Sequence, residues 1–187
     1  MTSAERPAPR FRTLDMAYIA LFAVLMAVCA WISIPVTPLT PVAFTLQTFA
    51  IFTALLTLGG RRGTYAVVVY LLLGMVGLPV FSGFKGGPAV LLGATGGYII
   101  GFIGTALVFW LLAARLGESL PVSILACVLG LAVCYAFGTV WFLKVYTSGP
   151  MDLATALGWC VTPFIVPDLV KLAAAALLSR RVKKFLK

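Results

Sequence analysis

Apolar runs broken by short clusters of Gly, Pro and charged residues occupy nearly the whole chain. Cut at that punctuation, the pattern leaves six apolar cores, at 14–34, 46–59, 64–78, 95–114, 122–144 and 159–178. The longer cores have the roughly 20 residues a helix needs to cross a hydrocarbon layer about 30 Å thick. The second and third are short for a full crossing. The pattern predicts an all-α integral membrane protein of about six transmembrane helices, with no stretch left for a separate soluble domain.

Composition agrees. Of 187 residues, 62% are hydrophobic and 10% charged, whereas a soluble domain is typically about 45–50% apolar and about 25% charged. We read one membrane domain over 1–187: a cytoplasmic tail at 1–14, a six-helix bundle at 15–179 and a basic cytoplasmic tail at 180–187. The apolar run at 16–34 is too long for a signal-peptide core of about 7–15 residues, so it reads as a retained first helix.

The formal charge of +9 changes the picture by its placement. Arg6, Arg10, Arg12, Arg61, Arg62, Arg115, Arg180, Arg181, Lys183, Lys184 and Lys187 fall on one side of the segmented chain, Lys85 and Lys144 on the other. Positive charge marks the cytoplasmic side, so both termini and the two short basic loops are expected there. The basic residues flank apolar runs and are not interleaved with aromatics, which argues against a nucleic-acid surface.

Cys29, Cys127, Cys134 and Cys160 all lie in apolar runs, without a CxxC pair or any histidine. They read as small buried hydrophobes, and no metal, disulfide or cofactor is expected. Ser82 and Ser148 have no neighbouring base, and a loop separates Asp152 from Asp168. The chain is not expected to be an enzyme.

Three connections on the non-basic side, 34–48, 77–98 and 145–158, are rich in Gly, Pro, Thr and Ser yet studded with Val, Phe and Leu. Such segments fit loops folded over the helix ends, where irregular backbone lines a cavity. In the first, Thr45 can cap the second helix while Gln47 and Thr48 face inward. Gln47 then meets either a ligand or a neighbouring helix. In "GATGGY", Gly96 and Gly97 either offer free helix N-terminal N–H groups or serve as close-packing positions. Ala20, Ala23 and Ala27 form a small-residue face on the first helix, for a helix of this chain or of another subunit.

Asp168 and Lys171 interrupt the last apolar core. Three residues apart on a helix, they share a face and can reach each other. Each charge costs about 2.5–3.5 kcal/mol at a bilayer centre, so the pair is either a structural ion pair or a substrate, ion or proton site. Pro163 and Pro167 suggest that the helix begins near Asp168, in its first turn and close to the outer face.

"FTLQT", "GGRRG", "YLLLGMVGLPVFSGFKGG", "GATGGYIIGF" and "PFIVPDLVKLAAAALL" together resemble, in order and spacing, the biotin transporter substrate-binding subunits: the BioY family of S-components of energy-coupling factor (ECF) transporters. One departure is Ala94, where the family commonly has proline; Thr95, Gly96, Gly97 and Tyr98 are intact. The resemblance implies a six-helix protein that captures biotin from outside and works with a transmembrane coupling subunit and two ATPase subunits. The chain has no GxxxxGK[ST] motif, so hydrolysis would belong to those partners.

The resemblance further implies Asp168 and Lys171 at the base of the site, with Thr95–Tyr98 and the loop of Phe81, Ser82 and Lys85 around it; Thr45 and Gln47 join the candidate site from their own placement at the start of the second helix. Phe44, Phe81, Tyr98 and Trp141 are candidate apolar walls, and either Lys85 or loop N–H groups would meet the biotin carboxylate. It gives the Ala20, Ala23 and Ala27 face to the coupling subunit. A self-sufficient carrier driven by an ion or proton gradient is the alternative.

Overall fold

In lipid each backbone polar group needs a partner within the chain, so long apolar runs become helices. The computed structural model describes residues 12–34, 42–146 and 151–185. Expectations for 1–11, for 35–41 and 147–150, and for Lys187 lie outside the described residues. In chain order the elements are α1 (Thr13–Trp31), β1 (Ser33–Ile34), β2 (Phe44–Thr45), α2 (Gln47–Met75), α3 (Pro88–Leu92), α4 (Gly96–Leu116), α5 (Leu120–Val145), α6 (Leu153–Cys160) and α7 (Thr162–Val182). The two short strands pair antiparallel, Ser33 opposite Thr45 and Ile34 opposite Phe44.

Thr13–Trp31, Gly96–Leu116, Leu120–Val145 and the stretch Leu153–Val182 are long and apolar enough to cross a membrane. The expected second and third cores are instead two limbs of α2, folded at Gly59 (φ 81°, ψ 176°). A Cβ on Gly63 would lie 2.9 Å from Leu55 Cα, whereas residues eight apart on a straight helix are about 12 Å apart. The chain has therefore doubled back. "GGRRG" is not a loop but the apex of this hairpin, with Arg61 and Arg62 already in the second limb.

The last helix also differs from expectation. α7 starts at Thr162 with Pro163 in its first turn, so Asp168 stands well inside the helix rather than at its start. Pro167 is accommodated within α7 by giving up one backbone bond, the one its absent N–H would make to the Pro163 carbonyl. α6 occupies much of the third connection.

Small residues set the helix spacing. α4 packs on α5 where Gly101 faces Cys134 and Gly130 faces Thr105, whose hydroxyl donates to the Gly130 carbonyl at 2.9 Å. α2 packs against α1, α4 and α7. Ala23 and Ala27, 1% and 5% exposed, belong to the internal seam of α1, and only Ala20 of the proposed partner face reaches the surface. The apolar stripe of α1 that faces the bundle simply contains them.

At the basic end, Arg62 pairs with Asp15 at 3.1 Å, and the Arg12 N–H also reaches Asp15 at 3.1 Å. Glu118, in the α4–α5 turn, accepts the Gly60 N–H at 3.1 Å, closing the α2 hairpin with a side chain from elsewhere in the fold. The backbone angles of Gly59 are essentially glycine-only, and a Cβ there would also strike the Glu118 carboxylate. Gly59→Ala is therefore expected to destabilise the protein by about 1–3 kcal/mol. Thermal unfolding in detergent checks this: an unchanged midpoint would contradict the hairpin geometry.

Candidate functional site

At the end of the bundle away from the Asp15–Arg62 clamp, residues of the first two irregular connections border a cavity of about 470 Å³. That lies in the usual range of small-molecule sites, about 300–1,000 Å³. Its walls are mostly apolar, including Val42, Val90, Ile99, Phe102, Leu131 and Phe164. One pole carries a buried charge pair.

That pole is built around Asp168, which is 2% exposed. Oδ1 accepts from Lys171 Nζ at 2.7 Å and from the Thr48 hydroxyl at 2.8 Å. Oδ2 accepts the Tyr135 hydroxyl at 2.6 Å. Lys171 Nζ also donates to Thr48 Oγ1 at 3.2 Å. The donors come from α2, α5 and α7, and between them they replace the water a buried carboxylate would otherwise lose. Lys171 has three N–H donors, of which these contacts use two, and a carboxylate has about four lone-pair sites, of which three are filled. Among the described residues, one donor of Lys171 and one acceptor of Asp168 remain without a partner.

The aromatic walls are seated in notches. Phe81 packs where Gly74 leaves α2 without a side chain, and Tyr98 packs where Gly138 does the same on α5; a Cβ at either glycine would overlap the ring. Phe81 also meets Tyr70 edge-on at 5.6 Å, and the Tyr98 hydroxyl shares a 3.0 Å hydrogen bond with Thr139. Gln47 is held from behind: its Nε2 donates to Tyr70 at 2.6 Å, and Tyr70 donates to the Val80 carbonyl at 3.1 Å. The Thr45 hydroxyl oxygen accepts the Gln47 N–H at 3.3 Å, a local cap at the start of α2.

The roof is the connection carrying Phe81, Ser82 and Lys85, pinched by the Phe81 N–H to Lys85 carbonyl bond at 2.9 Å. At its tip Gly83 and Phe84 both have positive φ, 70° and 56°, a conformation that costs a bulky residue about 1–3 kcal/mol. Phe84 is held there by stacking on Trp31 at 5.0 Å. Trp31 is itself pinned, donating from Nε1 to the Pro79 carbonyl at 2.7 Å.

Asp168, Lys171, Tyr98, Thr95, Gln47, Thr45, Phe81, Ser82 and Lys85 thus share one cavity. Gly96 and Gly97 do not line it. The Gly96 N–H is given to the Gly93 carbonyl at 3.0 Å, and a Cβ on Gly96 or Gly97 would overlap Leu91 or Trp141, so both are close-packing positions. Phe44 and Trp141 stand behind the wall. Phe44 stacks on Phe164 at 4.3 Å, and Trp141 donates to the Gly93 carbonyl at 3.0 Å. Tyr135 and Thr48 complete the polar pole but were absent from the candidate site. An inward-facing Thr48 was the available signal for one, and a lone Tyr in an apolar run gave little for the other. Among the described residues no three His, Cys, Asp or Glu side chains gather as a metal site.

Comparison with known proteins places this arrangement. The BioY family matches residues 2–187. The chain belongs to the BioY family. The biotin transporter BioY of Thermotoga maritima is 47% identical over 164 residues, covering 88% of this chain and 92% of that protein. The probable biotin transporter BioY of Pyrococcus horikoshii is 40% identical over 170 residues, covering 90% and 96%. The crystal structure of the S-component for biotin from an ECF-type ABC transporter superposes with a TM-score of 0.80 at 26% identity, over 94% of this chain and 95% of that one. These BioY relatives are transporters, not enzymes, and the chain shares the mostly helical S-component fold.

Two outcomes follow from the geometry. Lys171→Met leaves the Asp168 charge buried without its cation and should destabilise the protein by about 3–5 kcal/mol; adding Asp168→Asn should recover part of that loss in detergent thermal unfolding. Gly138→Ala should push the Tyr98 ring into the cavity and cost ligand affinity while the unfolding midpoint falls by only a few degrees, in line with about 1–3 kcal/mol for overpacking.

Proposed function

We propose that this protein is the biotin-binding subunit of a vitamin uptake system, working with an ECF transmembrane coupling subunit and two ATPase subunits. The observation that carries this reading is the Asp168–Lys171 pair, 2.7 Å apart, with one donor and one acceptor left open among the described residues at one pole of a mostly apolar cavity. Biotin combines a ureido ring, which needs N–H acceptors and a carbonyl donor, with an apolar thioether ring and chain. The names of the relatives and of the superposed structure support the same ligand.

On this reading the two limbs of α2 join α1, α4, α5 and α7 as six crossing segments of a single membrane domain. The basic end, with both tails, faces the cytoplasm of a bacterial cell, and the cavity faces outward. Ala20, exposed on α1, belongs to the face that meets the coupling subunit. Thr95, Tyr98, Phe81, Ser82, Thr45 and Gln47 surround the ligand, while Lys85, exposed on the roof, takes its carboxylate.

Equilibrium binding of radiolabelled biotin to the purified chain in detergent tests the reading. The parent should bind tightly, and Asp168→Asn should lose at least about tenfold in affinity, since hydrogen bonds to charged groups are worth about 1.5–3 kcal/mol. A folded parent that does not bind biotin refutes it. Lys85→Ala should weaken biotin by about threefold to tenfold while leaving biotin amide nearly unchanged. Equal affinities of parent and variant for both compounds would remove Lys85 from the site.

A further inference from the structure

The polar pole has a direction, set by where its hydrogens go. Lys171 forms an ion pair with Asp168 Oδ1 at 2.7 Å, and a carboxylate so paired can only accept. Both hydroxyls that touch it therefore point their hydrogens inward. Thr48 gives its hydrogen to Oδ1 and receives Lys171 on its oxygen, so it has little left to offer. Tyr135 gives its hydrogen to Oδ2 at 2.6 Å and receives nothing that the structure records, although it lines the cavity and is half-buried.

A phenol whose hydrogen is committed presents only lone pairs. What faces the cavity is then asymmetric: the remaining Lys171 N–H on the Oδ1 side, and lone pairs of Asp168 Oδ2 and Tyr135 Oη on the other. That arrangement suits an adjacent C=O and N–H, the edge of a cyclic urea or lactam. We propose that Tyr135 reads the ligand directly, accepting a ring N–H through its phenol oxygen, and that Asp168 serves Tyr135 by fixing the hydroxyl hydrogen away from the cavity. The inference rests on the biotin reading and adds to it a residue and a preferred edge of the ureido ring.

The experiment compares biotin with its two isomers methylated on one or the other ureido nitrogen, using the purified full chain in detergent. In the parent, the isomer methylated at the nitrogen facing Tyr135 should bind about tenfold or more below the other, because one N–H contact is lost and a methyl group is forced into its place. Tyr135→Phe should weaken biotin by about fivefold to tenfold. It should narrow the gap between biotin and the disfavoured isomer by the same factor, since that isomer never made the contact. Thr48→Val, which removes a partner of both Asp168 and Lys171 but none of Tyr135, should weaken all three ligands in proportion.

Proportional weakening of all three ligands by Tyr135→Phe would overturn the proposal and make Tyr135 a structural partner of Asp168. A gap narrowed equally by Thr48→Val would overturn it too, assigning the selectivity to the Asp168–Lys171 pair. Should Tyr135→Phe not fold, the parent still decides: both isomers binding as tightly as biotin ends the proposal. A folded parent that binds no biotin removes the ligand reading and this inference together, whereas biotin binding with an unmoved ratio removes this inference alone.

Discussion

A carboxylate buried among apolar helices has to be solvated by the protein, and the rest of this structure is organised around that requirement at Asp168. Its donors are Thr48 from the first limb of α2, Tyr135 from α5 and Lys171 from α7. Three helices that are distant in sequence therefore meet at two oxygen atoms. Replacing such a network by well-packed apolar groups often costs nothing in stability, so folding alone does not account for its presence. The atoms that hold the helix ends together are also those with donor and acceptor capacity left over, which makes the joint and the recognition pole one object.

The charge economy reinforces this. The chain has five acidic residues, and three of them each close a joint between elements. Asp15 ties α1 to the α2 hairpin through Arg62, which is 47% exposed on its side chain, an ion pair worth at most about 1 kcal/mol. Glu118 satisfies a backbone N–H at the hairpin apex, comparable to a helix cap of about 1 kcal/mol. Asp168 is the deeply buried one, with about 3–5 kcal/mol at stake if its partner is lost. The basic end is thus held by modest, wet contacts, and the strongest polar interaction sits beside the cavity.

Much of this was legible in the residues, for physical reasons. Helix identity followed from apolar run length, and the Asp168–Lys171 contact followed from helical spacing, because both depend on local periodicity alone. The hairpin at Gly59 was less visible: a glycine in a basic cluster looks like a loop, and only the positive φ and the Glu118 contact reveal a sharp fold between continuous helices. Asp168 was expected in a first turn because two prolines precede it, but Pro163 occupies that turn and Pro167 is tolerated inside. Ala23 and Ala27 show the limit of spacing arguments, since small residues pack as well against a neighbour in the same chain as against another subunit. Tyr135 could not be found by periodicity, because its partner lies on another helix.

α1 contributes no residue to the cavity wall, yet its last residue touches the roof twice, once through the Trp31–Phe84 stack and once through the bond to Pro79. The helix is otherwise attached mainly along α2, and its far side, with Leu21 and Val24, is exposed. The indole therefore fixes the end of α1 and the strained turn at Phe84 against each other. The placement of the segment bearing Lys85 thus depends on a helix that supplies nothing to the polar pole, whose donors come from α2, α5 and α7.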